Sequence, residues 1–259
     1  MSINFGLSLG GLLGGLLVGL TGMGGGALLT PMLVFFFHVD AAAAVGSDLV
    51  ASLVMKPIGG AVHWRSKTVR TDIVRWLCLG SVPGAIAGVA MLQVIDADHT
   101  ETIIKKLLGA ALLLTATTML VRDRMRRNEP PLDDDVPHSG VRRVPTVLLG
   151  LFGGAIVGLT SVGSGSLMIV VLSLLYPKLP RHELVGTDLV QAIPLVGAAA
   201  IGHVLTGDVR FGVTTSLLIG AIPGVYIGAR FSASGANALV RRAIPVVLVA
   251  SGLKLLGVF

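Results

Sequence analysis

The sequence predicts an all-α, polytopic integral membrane protein that consists of two homologous halves. Three observations support this fold class. Hydrophobic residues make up 53% of the 259 residues and charged residues only 13%, against about 25% charged in an ordinary soluble domain. Several apolar stretches run for about 20 residues, the length of a helix that crosses a bilayer. Finally, a set of motifs occurs twice, in the same order and at nearly constant spacing, which indicates duplication.

The duplicated motifs define the two halves. The pairs are GLTGMGGGALLTP at 19–31 with GLTSVGSGSLMIV at 158–170, VGSDLV at 45–50 with VGTDLV at 185–190, and GSVPGAIAG at 80–88 with GAIPGVYIG at 220–228. They predict a first membrane repeat at 1–121, a polar linker at 122–143 and a second membrane repeat at 144–259. The two repeats are expected to form one integrated domain, with a binding site where they meet.

Each repeat opens with an apolar stretch, at 4–37 and at 144–176, that is too long for a simple crossing. Residues 4–37 would form a helix of about 50 Å, whereas the hydrocarbon core of a bilayer is about 30 Å thick. Both stretches are interrupted by glycines, at GMGGG (22–26) and VGSGS (162–166), and glycine disfavours helix. Each stretch is therefore either one broken, tilted crossing or a re-entrant hairpin of two short helices.

The distribution of positive charge favours the hairpin. Three further apolar segments follow in each repeat, at 41–63, 73–95 and 102–121 and at 184–205, 211–231 and 237–258. With single crossings the repeats are parallel, and eleven Lys and Arg residues lie on one side against seven on the other. With hairpins the repeats are inverted, and fifteen lie opposite three, which are Lys105, Lys106 and Arg210. The second division fits the positive-inside rule better, so we predict inverted repeats with both termini outside.

Composition and motifs argue against several classes of function. The formal net charge of +6 comes from loops between apolar segments, and no nucleic-acid-binding motif is present. The single cysteine, Cys78, allows no intramolecular disulfide and no cysteine-based metal site. Catalytic, metal-ligand and nucleotide-binding motifs are also missing. We therefore predict that the protein is not an enzyme and uses neither a cofactor nor a metal.

The two glycine clusters are candidate substrate-binding elements. A helix that begins directly after each cluster would direct free N–H groups and the positive end of its dipole towards the break, which suits an anion. The alternative is close helix packing, which also selects glycine. The candidate residues are Thr21, Gly22, Gly24, Gly25 and Gly26 in the first half and Thr160, Ser161, Gly163, Ser164 and Gly165 in the second.

Rare charges inside apolar segments are further candidates. Lys56 has Val196 at its repeat position, and a lysine at the centre of a membrane helix costs about 2.5–3.5 kcal/mol on insertion scales, so we predict that it binds substrate. The alternatives are pairing with Asp48 in the empty state and extension of the ammonium to the membrane interface. Asp48 and Asp188 are repeat-related and are candidates for proton coupling. The alternative for each aspartate is a helix cap or first-turn residue.

Three other polar residues complete the candidate list. His63 and His203 end their apolar segments and are repeat-related. Each is a candidate gate or proton relay, because histidine titrates near neutral pH; the alternative is a partner for the negative end of the helix dipole. Gln191 is a weaker candidate for substrate binding.

Several of these motifs together resemble the TauE/SafE family of sulfite exporters. They are GLLVGLTGMGGGALLTPML, VGSDLV, the helix end His63-Trp64-Arg65 and GSVPGAIAG, each with an echo in the second half. The resemblance implies transport of sulfur-containing anions, such as sulfite or organosulfonates, across the bacterial inner membrane. It assigns the glycine-rich motif to Gly22, Gly24, Gly25 and Gly26, and its second copy to Gly163 and Gly165. Met23, Ser161 and Ser164 depart from the most glycine-rich form of that motif.

These observations lead to an expected function. We predict a secondary transporter or exporter of small anions that binds its substrate near the midplane, between the two glycine-rich breaks, with proton coupling through Asp48 or Asp188. An anion channel and a non-transporting assembly or anchoring partner are the alternatives. The expected partners are a small anionic substrate and the lipid bilayer, with no nucleic acid; a homo-oligomer is left open.

Overall fold

The computed structural model describes residues 4–21, 25–94, 97–126, 140–232 and 238–258. Within these ranges the chain forms ten α-helices and no strand. The helices are α1 (Phe5–Thr21), α2 (Gly26–Phe36), α3 (Ala41–Arg65), α4 (Thr71–Val94), α5 (Ala97–Arg126), α6 (Arg143–Thr160), α7 (Leu167–Leu175), α8 (Arg181–Thr206), α9 (Phe211–Ser232) and α10 (Ala238–Leu255). The predicted all-α class is confirmed.

Six of the described helices are long and apolar enough to cross a membrane, namely α3, α4, α5, α6, α8 and α9. Large apolar side chains cover their outer surface: Leu205 on α8 is 81% exposed and Phe152 on α6 is 66% exposed. Such a surface suits hydrocarbon and not water. These findings confirm a multi-pass membrane protein.

The observed helix ends refine two of the predicted segments, 4–37 and 102–121. The first apolar stretch, 4–37, contains two helices, because α1 ends at Thr21 and α2 begins at Gly26. α5 continues to Arg126, five residues into the segment predicted as linker, since residues 122–126 include no proline or glycine to end it.

The second apolar stretch, 144–176, also contains two helices, and its backbone explains why. α6 ends at Thr160, and Ser161, Gly163 and Gly165 have φ values of +59°, +112° and +112°. These angles lie in the left-handed region, which a right-handed helix cannot use and which favours glycine. The amide of Ser161 still donates to the carbonyl oxygen of Val157, which completes the last turn of α6.

The first two helices of the first half run antiparallel, side by side. A Cβ built on Gly6, at the start of α1, would lie 3.5 Å from the ring of Phe37, which follows α2. Near the other end of α1, a Cβ on Gly14 would overlap the side chain of Leu29, early in α2.

The second half repeats this arrangement. Thr146, near the start of α6, bonds through its hydroxyl to Tyr176 Oη at 2.6 Å, just after α7. Further along α6, a Cβ on Gly153 would lie 2.7 Å from Met168 Cε, early in α7. In both halves, therefore, the start of the broken segment lies beside its end.

Each broken segment packs mainly against the opposite half. α1 lies parallel to α9, and α6 lies parallel to α4. Carbonyl groups of one helix meet glycines of the other, so that a Cβ at any of these positions would overlap backbone. The contacts include Gly11 with Leu217, Gly15 with Ala221 and Gly224 with Leu12 between α1 and α9, and Gly84 with Leu151 and Gly154 with Ser81 between α4 and α6. Backbones approach this closely only where no side chain intervenes.

α3 and α8, which carry the repeated VGSDLV and VGTDLV motifs, cross antiparallel between the halves. A Cβ on Gly46 would lie 3.2 Å from His203 Cβ, and a Cβ on Gly186 would lie 3.1 Å from His63 Nδ1. The two contacts are equivalent, because Gly46 and Gly186 are repeat partners, as are His63 and His203.

The hydroxyls of the same motifs bond across the halves. The amide of Arg70 donates to Thr187 Oγ1 at 3.0 Å, and the amide of Arg210 donates to Ser47 Oγ at 3.2 Å. The Gly-Ser and Gly-Thr pairs of the motifs thus join the halves, and the aspartates that follow them are carried into the interior.

Candidate functional site

The site lies where the glycine-rich break of one half meets that of the other. A Cβ on Gly26, the first residue of α2, would overlap the carbonyl oxygen of Ser161 and lie 3.0 Å from its hydroxyl. Gly25, Gly26, Thr160, Ser161, Gly163, Ser164 and Gly165 are all buried here. Gly22 and Gly24 lie outside the described residues, and for Thr21 only its place at the end of α1 is described.

Asp48 ties three elements together at this junction. It is fully buried on α3, and its Oδ2 accepts hydrogen bonds from Thr30 on α2 at 2.8 Å and from Ser161 at 2.7 Å. Its Oδ1 has no hydrogen-bond partner among the described residues and lies 3.2 Å from where a Cβ on Gly25 would be. Asp48 is the eighth residue of α3, counted from Ala41, so it does not cap that helix.

Lys56 is a nearly buried cation at the second break. It is 5% exposed, and its Nζ donates to Ser164 Oγ at 2.9 Å. Among the described residues no ion pair within 4.0 Å joins it to a carboxylate, although Asp188 and, more weakly, Asp48 stabilise its charge at longer range. An ammonium has three donors; with one used on Ser164, Lys56 can bind another acceptor.

Asp188 resembles Asp48 in position but not in surroundings. It is fully buried and is the eighth residue of α8, counted from Arg181. Neither of its carboxylate oxygens has a hydrogen-bond partner in the described part of the chain. Lys56 is the charged group that acts on it. An unpaired buried polar group costs about 1–3 kcal/mol, so Asp188 is retained at a cost to stability.

Gln191 lies one turn beyond Asp188. Its Nε2 donates to Ser81 Oγ on α4 at 2.7 Å, while its Oε1 has no described partner. Ser166, the residue before α7, also has a buried hydroxyl without a described partner. Buried polar atoms without a described partner thus occur at Asp188 and Gln191 on α8 and at Ser166 beside the second break. Such atoms are usually found where water or a ligand binds.

His203, in the last turn of α8, is fully buried and bonds through both ring nitrogens. Nε2 lies 2.9 Å from the carbonyl oxygen of Gly158, and Nδ1 lies 3.2 Å from Asp208 Oδ2. A carbonyl oxygen and a carboxylate both accept hydrogen bonds, so each ring nitrogen faces an acceptor. The hydrogen bond from His203 lowers the pKa of the Asp208 carboxyl.

His63, the repeat partner of His203, has a different neighbour. Its Nδ1 lies 2.8 Å from Thr68 Oγ1, whose hydroxyl donates to the carbonyl oxygen of His63 at 3.1 Å. Since the hydroxyl proton of Thr68 is used in that bond, its oxygen accepts from the ring nitrogen. His63 therefore bonds to a hydroxyl where His203 bonds to a carboxylate. Thr68 stands where the second half has Asp208. Both histidines lie at helix ends and not at the junction of the breaks.

Sequence reasoning missed two residues of the site: Thr30 and Ser81. Thr30 could have been found, since it belongs to a repeated motif and its counterpart is Ile169. A hydroxyl present in one copy and absent from the other marks a site at which the halves differ. Ser81 carries no comparable signal. In the described part of the chain, no group of three or more His, Cys, Asp or Glu side chains could hold a metal ion.

Comparison with known proteins agrees with this architecture. The model of the family described as sulfite exporter TauE/SafE matches residues 7–255. A probable membrane transporter protein of Bacillus subtilis, YjnA, is 39% identical over 95% of this chain and 97% of its own. A second from that organism, YdhB, is 25% identical over 93% and 96%, and one from Xylella fastidiosa is 26% identical over 93% and 90%. No solved structure matches. The chain therefore belongs to the TauE/SafE sulfite exporter family of membrane transporters.

Proposed function

We propose that the protein is a secondary transporter of small anions, with sulfite, sulfonates and related sulfur-containing anions as its substrate class. The observation that carries this proposal is Lys56, a buried ammonium with a single described hydrogen bond, beside the meeting point of the two breaks. A charge inside a membrane helix is expensive and marks a substrate or ion pathway. A cation with donors to spare suits an anion.

The helix starts at the two breaks supply further donors. Neither Gly25 before α2 nor Ser166 before α7 makes a side-chain capping bond. The amides of Leu28 and Met168 already donate to Gly25 and Gly163. The remaining first-turn amides of the two helices, together with the hydroxyl of Ser164, can serve an anion that Lys56 attracts. Oxyanions of sulfur present several acceptor oxygens, which such a set of donors can bind at once.

We further propose that the repeats are inverted and that each broken segment is a re-entrant hairpin. Repeat-related helices then run in opposite directions. The antiparallel crossing of α3 and α8 supports this relation. So does the contact of α5 with α10, where Gly109 faces Leu256 and Gly252 faces Leu113. The relatives named as membrane transporters come from bacteria, and we place this protein in the bacterial plasma membrane.

Transport in proteoliposomes tests the function. Purified protein should take up sulfite or methanesulfonate, and Lys56→Met should weaken uptake about tenfold or more, since removing one member of a buried charged contact costs 2–5 kcal/mol. Lys105→Met is the matched control, because that lysine is exposed and pairs only with Glu101. The proposal fails if folded protein neither binds nor moves these anions, with or without a proton gradient. That result would favour the non-transporting partner, and uptake that never saturates would favour a channel.

A further inference from the structure

The two buried aspartates differ because the repeats supply them with different neighbours. Asp48 receives hydroxyls from Thr30 and Ser161. The repeat positions of those two donors are Ile169 and Gly22, neither of which has a hydroxyl. The two hydroxyls that bind Asp48 therefore have no counterparts at the repeat positions that would serve Asp188.

One cation serves both carboxylates. Val196 takes the place of Lys56 in the second half. If a substrate anion occupied Lys56 while Asp48 and Asp188 were both ionised, the interior would gain one further negative charge without a counter-ion, which is costly at low dielectric. A proton on one carboxylate removes that charge. The hydroxyls around Asp48 stabilise its carboxylate, so the proton belongs on Asp188.

Several charged and titratable residues lie on the described helices that surround Asp188. α8 packs against α3, α4, α6 and α7. The charged and titratable residues on those helices are Asp48, Lys56, His63 and Arg65 on α3, Asp72, Arg75 and Cys78 on α4, and Arg143 on α6, with none on α7; α8 itself adds Arg181, His182, Glu183 and His203. Of these, Lys56 is the charge that acts on Asp188.

Helix packing places Lys56 and Asp188 on neighbouring stretches of α3 and α8. A Cβ on Gly59, three residues after Lys56, would lie 3.6 Å from Leu189, the residue after Asp188. One residue on, a Cβ on Gly60 would lie 3.2 Å from Ile193. The turn of α3 that follows Lys56 therefore lies alongside the turn of α8 that follows Asp188.

We propose that Asp188 is the proton-coupling residue and that the substrate replaces it as the counter-ion of Lys56. In the empty state the Asp188 carboxylate balances the Lys56 ammonium. When a monoanion binds Lys56, a hydronium ion gives one proton to a carboxylate oxygen of Asp188; an O–H bond of the hydronium breaks, the O–H bond of the carboxyl forms, and water is released. Both states keep the same net charge, so a proton and an anion cross together. This coupling rests on the proposed transport of anions.

Proton flux and anion flux measured together test the coupling. Methanesulfonate is the probe, since a sulfonate keeps its charge over the working pH range and only the protein titrates. Wild-type proteoliposomes should take up protons with the anion, and an inward proton gradient should drive accumulation. Asp188→Asn imitates the protonated residue. It should still bind and exchange the anion, with an affinity that no longer depends on pH, and should lose gradient-driven accumulation about tenfold or more.

Asp48→Asn is the matched comparison. It should lower the melting temperature and reduce uptake, because Asp48 holds the junction together, but the uptake that it retains should keep the wild-type ratio of protons to anions. If Asp188→Asn does not fold, Asp188→Ser replaces it. The coupling is overturned if the Asp188 variant retains wild-type gradient-driven uptake, or if Asp48→Asn alone abolishes it. Anion movement without protons in the wild type would overturn the coupling and leave the transport function intact, whereas no anion movement at all would overturn both.

Discussion

At the scale of single residues, Asp48 accepts hydrogen bonds from two hydroxyl groups, whereas its repeat partner Asp188 accepts none from the residues that the structure describes. The two aspartates occupy the same position in the same motif, so their difference comes entirely from neighbours. Thr30 is opposite Ile169, and Lys56 is opposite Val196. The second half thus contributes Asp188, a carboxylate without a described hydrogen bond, and the first half contributes Lys56, the cation that acts on it.

The contact between Thr30 and Asp48 can be tested by removing its hydroxyl. Thr30→Val keeps the volume and leaves a buried carboxylate with one donor fewer, so it should destabilise the protein by about 1–3 kcal/mol. Thermal unfolding in detergent is the measurement. Thr117→Val is the control, because that exposed threonine bonds only to the backbone of its own helix. Equal melting temperatures for the two variants would show that the hydrogen bond from Thr30 to Asp48 does not contribute to stability.

The pair of His203 and Asp208 predicts a pH dependence. The hydrogen bond from His203 lowers the pKa of Asp208 in the folded state. Its contribution to stability is therefore present above the unfolded pKa of about 3.9 and is lost as the pH falls through the lower, folded value. Asp208→Asn should cost roughly 1 kcal/mol near neutral pH, and the difference from wild type should shrink below about pH 4. A difference that stays constant between pH 3 and pH 7 would contradict the pairing.

At the scale of helices, glycines decide which elements can lie side by side. α4 and α6 meet backbone to backbone, and α1 and α9 do the same. The two pairs are related by the duplication, so that each broken segment rests on the opposite half. Proline within α3, α4, α8, α9 and α10 does not end any of these helices, which is common where neighbouring helices satisfy the freed backbone groups.

A pair of glycine substitutions separates packing from helix propensity. A Cβ on Gly84 would overlap the carbonyl of Leu151, whereas a Cβ on Gly212 would meet nothing within 4 Å. Gly84→Ala should force α4 and α6 apart and cost about 1–3 kcal/mol. Gly212→Ala should leave stability unchanged or raise it by up to about 1 kcal/mol, because alanine favours helix. Thermal unfolding of both variants gives the answer, and a stabilising Gly84→Ala would refute the tight contact.

At the scale of the whole molecule, the proposed inverted arrangement makes a prediction about sidedness. After Cys78 is replaced by alanine, single cysteines at Ser2 and at Ser139 should react with a membrane-impermeant reagent from opposite sides. The reason is that three crossings separate these positions when the first segment is a hairpin, and four when it is a single crossing. Cysteine accessibility in intact cells and in inverted vesicles is the measurement. Reaction from the same side would establish parallel repeats.

The sequence predicts some of this architecture well and some of it not at all. Bulk hydrophobicity and duplicated motifs are averages over many residues, so they predict an all-α membrane fold with two halves. The bond from Ser161 to Asp48 joins residues 113 positions apart. Duplication alone cannot show whether a polar residue faces its own half or the opposite one. The partners of Asp48, Lys56 and His203 therefore emerge only when the halves are placed together.

The exchanged contacts of the two VG(S/T)DLV motifs have an evolutionary consequence. Gly46 meets His203 as Gly186 meets His63, so each half offers the surface that the other requires. A single half would have been self-complementary, and an ancestral gene for one repeat could encode a homodimer. Every substitution in that ancestor appeared twice. Once two copies are joined in one chain, each copy can change alone. Lys56 with Val196 at the repeat position is a combination that a homodimer of identical subunits cannot have.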